Sequence, residues 1–235
     1  MRTTEIITDM GKGSKRQMYE FSHNKEKSSV FTKIVGEEIQ WFCPTDQGQE
    51  MQLNNKQLIE RFGLTQNFLN DFWPTRSPQW DGLALGIKTN TLYLIEAKAH
   101  ITEIAPGNFL AKNANDQQRY NYNLKCKTLK GIKQKYGAIV DDSIWLHKYY
   151  QISNRIAFLD KLKEIRNDKD VKLLFVNFIN DSYWKEKGMN PTTDDWNIKY
   201  QAIFKEMGLC INNMKELGVN VVIIDCDTNE STELF

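Results

Sequence analysis

Asp81, Glu96 and Lys98 are the residues whose types and spacing could do chemistry. Trp80-Asp81-Gly82-Leu83-Ala84-Leu85-Gly86-Ile87 and Thr91-Leu92-Tyr93-Leu94-Ile95-Glu96-Ala97-Lys98 are two short apolar runs around Lys88-Thr89-Asn90, which is the pattern of a β-hairpin. Successive strand residues point to opposite faces, so Glu96 and Lys98 share one face and Ala97 packs on the other. With an even number of turn residues, antiparallel partners sum to an odd number: 177 sets Asp81 opposite Glu96, and 179 sets it opposite Lys98. Directly paired residues have Cβ atoms roughly 4.5–5.5 Å apart, so two carboxylates and an ammonium converge on one small volume.

Such a cluster can hold a hard divalent cation. Magnesium takes oxygen ligands and keeps several waters, so Asp81, Glu96 and a backbone carbonyl, that of Ala97, would suffice, and Mn²⁺ could substitute. A metal there would polarise a phosphodiester and lower the pKa of a bound water. Lys98 would orient the attacking hydroxide or offset charge growing on phosphate. The competing reading is that Glu96 and Lys98 are polar residues ending a strand, since Glu-x-Lys arises by chance in a chain with 26% charged residues. The strongly apolar run ending in Glu96 and the hairpin-compatible Asp81 favour the chemical reading.

The elements that must position these groups follow from periodicity. Asn55 to Phe62 reads as a short helix, with Leu58, Ile59 and Phe62 on one face and Gly63 as its stop, and Phe68 to Trp73 extends that helical region. Val30 to Cys43 is apolar at intervals, and the first 30 residues read as weakly structured. The polar, lysine-rich region from Pro106-Gly107 to Tyr136 reads as partly helical. Asp142 or Ser143 caps a long helix to about Arg166, because Trp145, Tyr149, Ile152, Ile156 and Leu159 recur at helical spacing. A buried strand follows over Val171 to Ile179, a helix runs from Asp194 or Asp195 to Leu217-Gly218, and Val219 to Asp225 is a last strand. Strands separated by helices around an antiparallel hairpin predict an α/β sandwich, a central mixed β-sheet flanked by helices.

At 235 residues the chain fits one domain, with 1–50 readable as an N-terminal extension. A hydrophobic share of 40% excludes a disordered or fibrous class. Met1 to Met10 lacks an apolar leader core and no stretch is long enough to span a bilayer, so no membrane partner and a cytoplasmic location are expected. Cys43, Cys126, Cys210 and Cys226 form no Cys-x-x-Cys pair and read as reduced, mostly buried thiols. Net charge of +1 gives no global attraction to polyanions, so nucleic-acid affinity would need a local patch. Lys125, Lys127, Lys130, Lys133 and Lys135 supply one candidate, and a solvated helix face is the alternative. Trp73, Trp80, Trp145, Trp184 and Trp196 could stack on bases, but core is the better reading and none is assigned to substrate.

Pro78-Gln79-Trp80-Asp81 followed by Leu92-Tyr93-Leu94-Ile95-Glu96-Ala97-Lys98-Ala99-His100 resembles the PD-(D/E)XK superfamily of restriction-endonuclease-like enzymes. The motif match covers about 25 residues, and the element order extends it to about two thirds of the chain. The aspartate here follows Trp80 and not proline. The resemblance implies a restriction-endonuclease-like fold, Mg²⁺ dependence and phosphodiester hydrolysis, with DNA the expected substrate and Asp81, Glu96 and Lys98 in the catalytic positions. It also implies supporting roles at the rim for His100 and Glu103, with a satisfied surface residue as the alternative for His100. Gln151 and Arg155 share a helix face with Asn154 adjacent; the resemblance implies that such a stripe looks into the cleft. An upstream carboxylate is expected from Glu60, with Glu20 behind it. A homodimer is the expected assembly where both strands are cut. The alternative function is a catalytically silent nuclease-fold module that binds nucleic acid or a protein partner.

Overall fold

The computed structural model describes residues 12–167 and 171–235. The six-stranded sheet contains β1 (Ile39–Cys43), β4 (Gly82–Gly86), β5 (Leu92–Lys98), β6 (Val171–Ile179), β7 (Val219–Asp225) and β8 (Ser231–Glu233), in the order β1-β4-β5-β6-β7-β8. β5, β6 and β7 are parallel neighbours, while β1/β4, β4/β5 and β7/β8 are antiparallel, so the sheet is mixed as expected. Two short strands, β2 (Met51–Gln52) and β3 (Gln79–Trp80), pair separately and lead the chain into Asp81.

The hairpin follows from its turn. Gly86 and Thr91 close a loop of residues 87–90, and Asn90 takes the left-handed conformation (φ 59°) that asparagine tolerates. The Glu37 carboxylate accepts from the amides of Lys88 and Thr89 at 2.9 and 3.0 Å, pinning the turn to β1's entry. Gly82 pairs with Ile95 and Leu83 with Leu94, the register summing to 177. Extended by one residue, that register sets Asp81 beside Glu96.

Both faces of the sheet are covered, which explains why its central strands read as continuous apolar runs. On one face Leu92, Leu94, Leu173 and Phe175 pack against α3 (Lys56–Arg61), α4 (Asp116–Lys135), α5 (Tyr150–Ile165), α7 (Thr193–Glu206) and α8 (Ile211–Leu217). On the other, Tyr93, Ile95, Ala97, Leu174 and Val176 meet Met18 and Phe21 of α1 (Ser14–His23) and Val30 and Phe31 of α2 (Lys25–Val35), with Trp184 of α6 (Ser182–Glu186) at the edge.

Four expectations are corrected. Residues 12–30 are not weakly structured: α1 and α2 cover a sheet face, and Asn24 caps α2 by accepting from the Glu26 and Lys27 amides. Their few apolar residues all point inward, and the polar remainder hides the period; residues 1–11 lie outside the described residues. The long helix from 142 to 166 is interrupted: a π-turn (Ile144–Lys148) ends at Tyr149 (φ −118°, ψ 36°), and α5 starts anew. The helix expected to end at Gly218 is two, α7 and α8, separated at Gly208 (φ 70°), and its cap is Thr192, with Asp195 completing a capping box. The partly helical region resolves into the 20-residue α4, started by a capping box of Asn115 and Gln118. Cys43 is buried, but Cys126 and Cys226 are half-buried and Cys210 is exposed, so the thiols are not mostly buried.

Among the described residues no helix is long and apolar enough to cross a membrane.

Candidate active site

Glu96 and Lys98 stand on the sheet face covered by α4 and α5, at the C-terminal end of β5, because Leu92 and Leu94 precede them on that side. Asp81 sits where β3 passes into β4. The next residue is glycine for a steric reason: a Cβ at Gly82 would lie 2.9 Å from Met18 Cε and 3.0 Å from Ile95. Asp81 Oδ2 accepts from the Ala97 amide at 2.8 Å, which ties the two strands together at the site.

α5 delivers the fourth charged group. Arg155 lies across the Trp80 ring with its guanidinium carbon 4.4 Å from the centroid. It donates from Nε to Glu96 Oε2 at 2.7 Å, from NH1 to Asn154 Oδ1 at 2.9 Å, and from NH2 to the Gln79 carbonyl at 2.6 Å. Lys98 Nζ donates to Glu96 Oε1 and, at 3.0 Å, to the Ala97 carbonyl. An ammonium has three donors, so one remains for a ligand.

The charges balance at two against two, yet unevenly. Burial pushes Glu96 up, but the Arg155 and Lys98 charges and hydrogen bonds outweigh it and hold the carboxyl below the usual range. Burial would depress Lys98, but the charges of Glu96 and Asp81 keep its pKa raised. Asp81 has no cation in direct contact among the described residues. Burial first, and the Glu96 charge second, push it up to about 7. A carboxylate left short of positive charge beside a second carboxylate and a carbonyl is a donor set of hard oxygens, the type Mg²⁺ or Mn²⁺ takes with few protein ligands and several waters. These residues fit such an ion in kind. Both Glu96 oxygens already carry a cation, so metal binding there competes with Arg155 or Lys98. Among the described residues no cluster of three or more His, Cys, Asp or Glu side chains converges as a metal cage.

Asp81, Glu96 and Lys98 open into a cavity of about 750 Å³ that Gln151, Asn154, Arg155 and Glu103 also line. Glu103 is held there by Ser14 Oγ at 2.8 Å and the Ala99 amide at 3.0 Å. The Gln151 Oε1 atom is buried and has no hydrogen-bond partner. His100 does not line this cavity: it caps the 3₁₀ turn Ile101–Glu103 and stacks on Trp184 at 4.4 Å, as a satisfied residue beyond the strand end would. Glu60 is exposed on α3 and lies outside the cavity, because α3 turns it to solvent; Glu50 is the upstream carboxylate that lines it. Glu20 is engaged by Arg16 and Lys27. Trp73, Trp80, Trp145 and Trp196 are core, as read.

The lysine patch is largely neutralised. Lys130 and Lys133 pair with Asp142 and Lys135 with Asp160. Lys125 alone of the five lines the cavity, with Nζ 5.7 Å from the Tyr150 ring centroid. Sequence reasoning did not find Glu50, Arg76, Ser77 and Tyr150 in the lining. Arg76 and Ser77 could have been flagged by their place just before Pro78 and Asp81, whereas Glu50 is brought in by the β2/β3 pairing and left no local signal.

Comparison of the chain with family models, curated proteins and solved structures returned no match.

Proposed function

We propose that this protein is a metal-dependent nuclease that hydrolyses phosphodiester bonds, with DNA the expected substrate, in the manner of the PD-(D/E)XK enzymes its motif resembles. The observation that supports this most is the arrangement of Asp81, Glu96 and Lys98: separated by up to 17 positions in sequence, they meet on one hairpin in one cavity, with Asp81 short of positive charge. Asp81, Glu96 and the Ala97 carbonyl would hold Mg²⁺ or Mn²⁺. Bound there, the ion supplies Lewis-acid polarisation of the phosphoryl oxygens and a more acidic water. Lys98 holds its remaining N–H toward the reacting phosphate and stabilises the charge that develops on it. Arg155 fixes Glu96 in place, and Gln151 and Asn154 offer amide groups to the strand being cut.

A second reading has its own support. Because Lys98 and Arg155 saturate both oxygens of Glu96, the cluster could serve as a closed structural network in a catalytically silent module that binds nucleic acid or a protein. Calorimetric titration with MgCl₂ and MnCl₂ separates the two. Binding by wild type that is lost in an Asp81→Ala/Glu96→Ala variant is the expected result for the nuclease, and equal behaviour of the two proteins would leave only the silent module.

A further inference from the structure

Lys125 and Asn121 line a second, smaller cavity of about 270 Å³ as well as the first, so the two adjoin. The smaller one is built from the loop before α4 and from α4 itself, with Asn108, Phe109, Leu110, Gln118 and Tyr122 in its wall. Phe109 is 71% exposed, which is unusual for a ring that the fold nevertheless holds in place. Its inner face lies parallel to His147, 5.1 Å between centroids and 8° between planes, and Tyr122 is near-parallel to the same imidazole at 6.5 Å and 15°.

The loop is not free to swing. The Gly107 amide donates to the His147 carbonyl at 3.0 Å, and the backbone there runs so close to Tyr150 that a Cβ at Gly107 would lie 3.0 Å from Cδ1. Asn108, next along, has both amide atoms buried without a hydrogen-bond partner. Unpaired buried amide groups are costly, and a donor with an acceptor on one side chain matches the edge of a base.

We propose that the open face of Phe109 is a stacking platform for an unpaired nucleobase of the strand whose phosphate reaches Asp81, Glu96 and Lys98, with Lys125 on the phosphate between them. The inference rests on the nuclease reading and narrows it to single-stranded or locally unpaired substrates. Every base has a π-face, so an aromatic platform accepts any of them, but inside a duplex both faces are covered by neighbouring pairs.

The test uses the full chain and a labelled single-stranded DNA of about 12 nucleotides, followed by anisotropy in EDTA, with a blunt duplex as comparison. Phe109→Ala should weaken single-strand binding by roughly 5- to 150-fold, the range set by losing one stacked base. It should leave the melting temperature unchanged, since the ring is exposed, and Phe109→Trp should retain wild-type binding. Wild-type binding by Phe109→Ala, or equal losses on duplex and single strand, would overturn the platform. Metal-dependent cleavage by wild type, run in parallel, keeps the failures apart. Cleavage with an indifferent Phe109→Ala sinks the platform alone, whereas neither binding nor cleavage by wild type sinks both readings.

Discussion

Asp81→Asn should make the protein more stable above pH 7, and the size of the gain can be worked from the site. The carboxyl is raised from 3.8 to about 7, by burial and then by the Glu96 charge. A group whose pKa is higher in the folded state binds more protons there, so its contribution is fully present below pH 3.8 and is lost as pH climbs through 7. The interval corresponds to roughly 4 kcal/mol at about 1.4 kcal/mol per pH unit, and solvent in the cavity reduces what is realised to ~2 kcal/mol or more. Asn keeps an oxygen to accept from the Ala97 amide, an interaction of 2.8 Å in wild type, but it does not ionise. Urea denaturation of both proteins in EDTA from pH 4.5 to 8.5 should therefore give curves that converge at the acid end and separate toward pH 8, with Asp81→Asn above. Added Mg²⁺ should close that gap by stabilising wild type alone. Parallel curves with no pH-dependent separation, or a wild type that is the more stable at pH 8, would refute the electrostatic reasoning.

Arg155, in the same cluster, and Asp160, outside it, give further outcomes. Arg155→Met removes one partner of a buried pair and leaves Glu96 with Lys98 alone, which should cost about 3–5 kcal/mol, read as a lower urea midpoint. The same variant should bind Mn²⁺ more tightly than wild type in calorimetry, because a competing cation has left the carboxylates; weaker binding would contradict the placement of the metal. Asp160→Asn weakens the hold of Lys135 and Tyr136, which contact that carboxylate at 2.6 to 2.8 Å, and should lower thermal stability by about 1–3 kcal/mol while leaving metal binding unchanged.

The hairpin, the strands Val171–Ile179 and Val219–Asp225 and the mixed sheet were legible because period-2 patterning and apolar runs are local signals. The register sum of 177 is odd, as an even-numbered turn requires, and it is one of the two sums that set Asp81 opposite Glu96 or Lys98. Breaks within helices were missed because the apolar spacing continues across Tyr149 and Gly208, although Gly208, at φ 70°, is a local helix stop of the kind glycine commonly supplies. α1 and α2 were missed because their inward residues are outnumbered by Lys, Ser and Glu. At the site, the face shared by Gln151, Asn154 and Arg155 could be read from helical spacing. That Arg155 would grasp Glu96, 59 positions away, could not, because only the fold brings α5 over the end of β5. Glu60 was singled out by its place on a recognisable helix, yet exposure is set by which side of that helix faces the core.

If Asp81, Glu96 and Lys98 form a metal-dependent phosphodiester-cleaving site, cleavage itself is the reaction to measure. Wild type, Lys98→Met and Asp81→Ala/Glu96→Ala would be purified alike and incubated with labelled single-stranded and duplex DNA and with RNA, in Mg²⁺, Mn²⁺ or EDTA. Wild type should cleave in a metal-dependent manner, with activity abolished by EDTA, lost in the double variant and reduced by about 10²–10³-fold in Lys98→Met. No cleavage of any substrate by folded wild type, or equal cleavage by all three proteins, would contradict that reading.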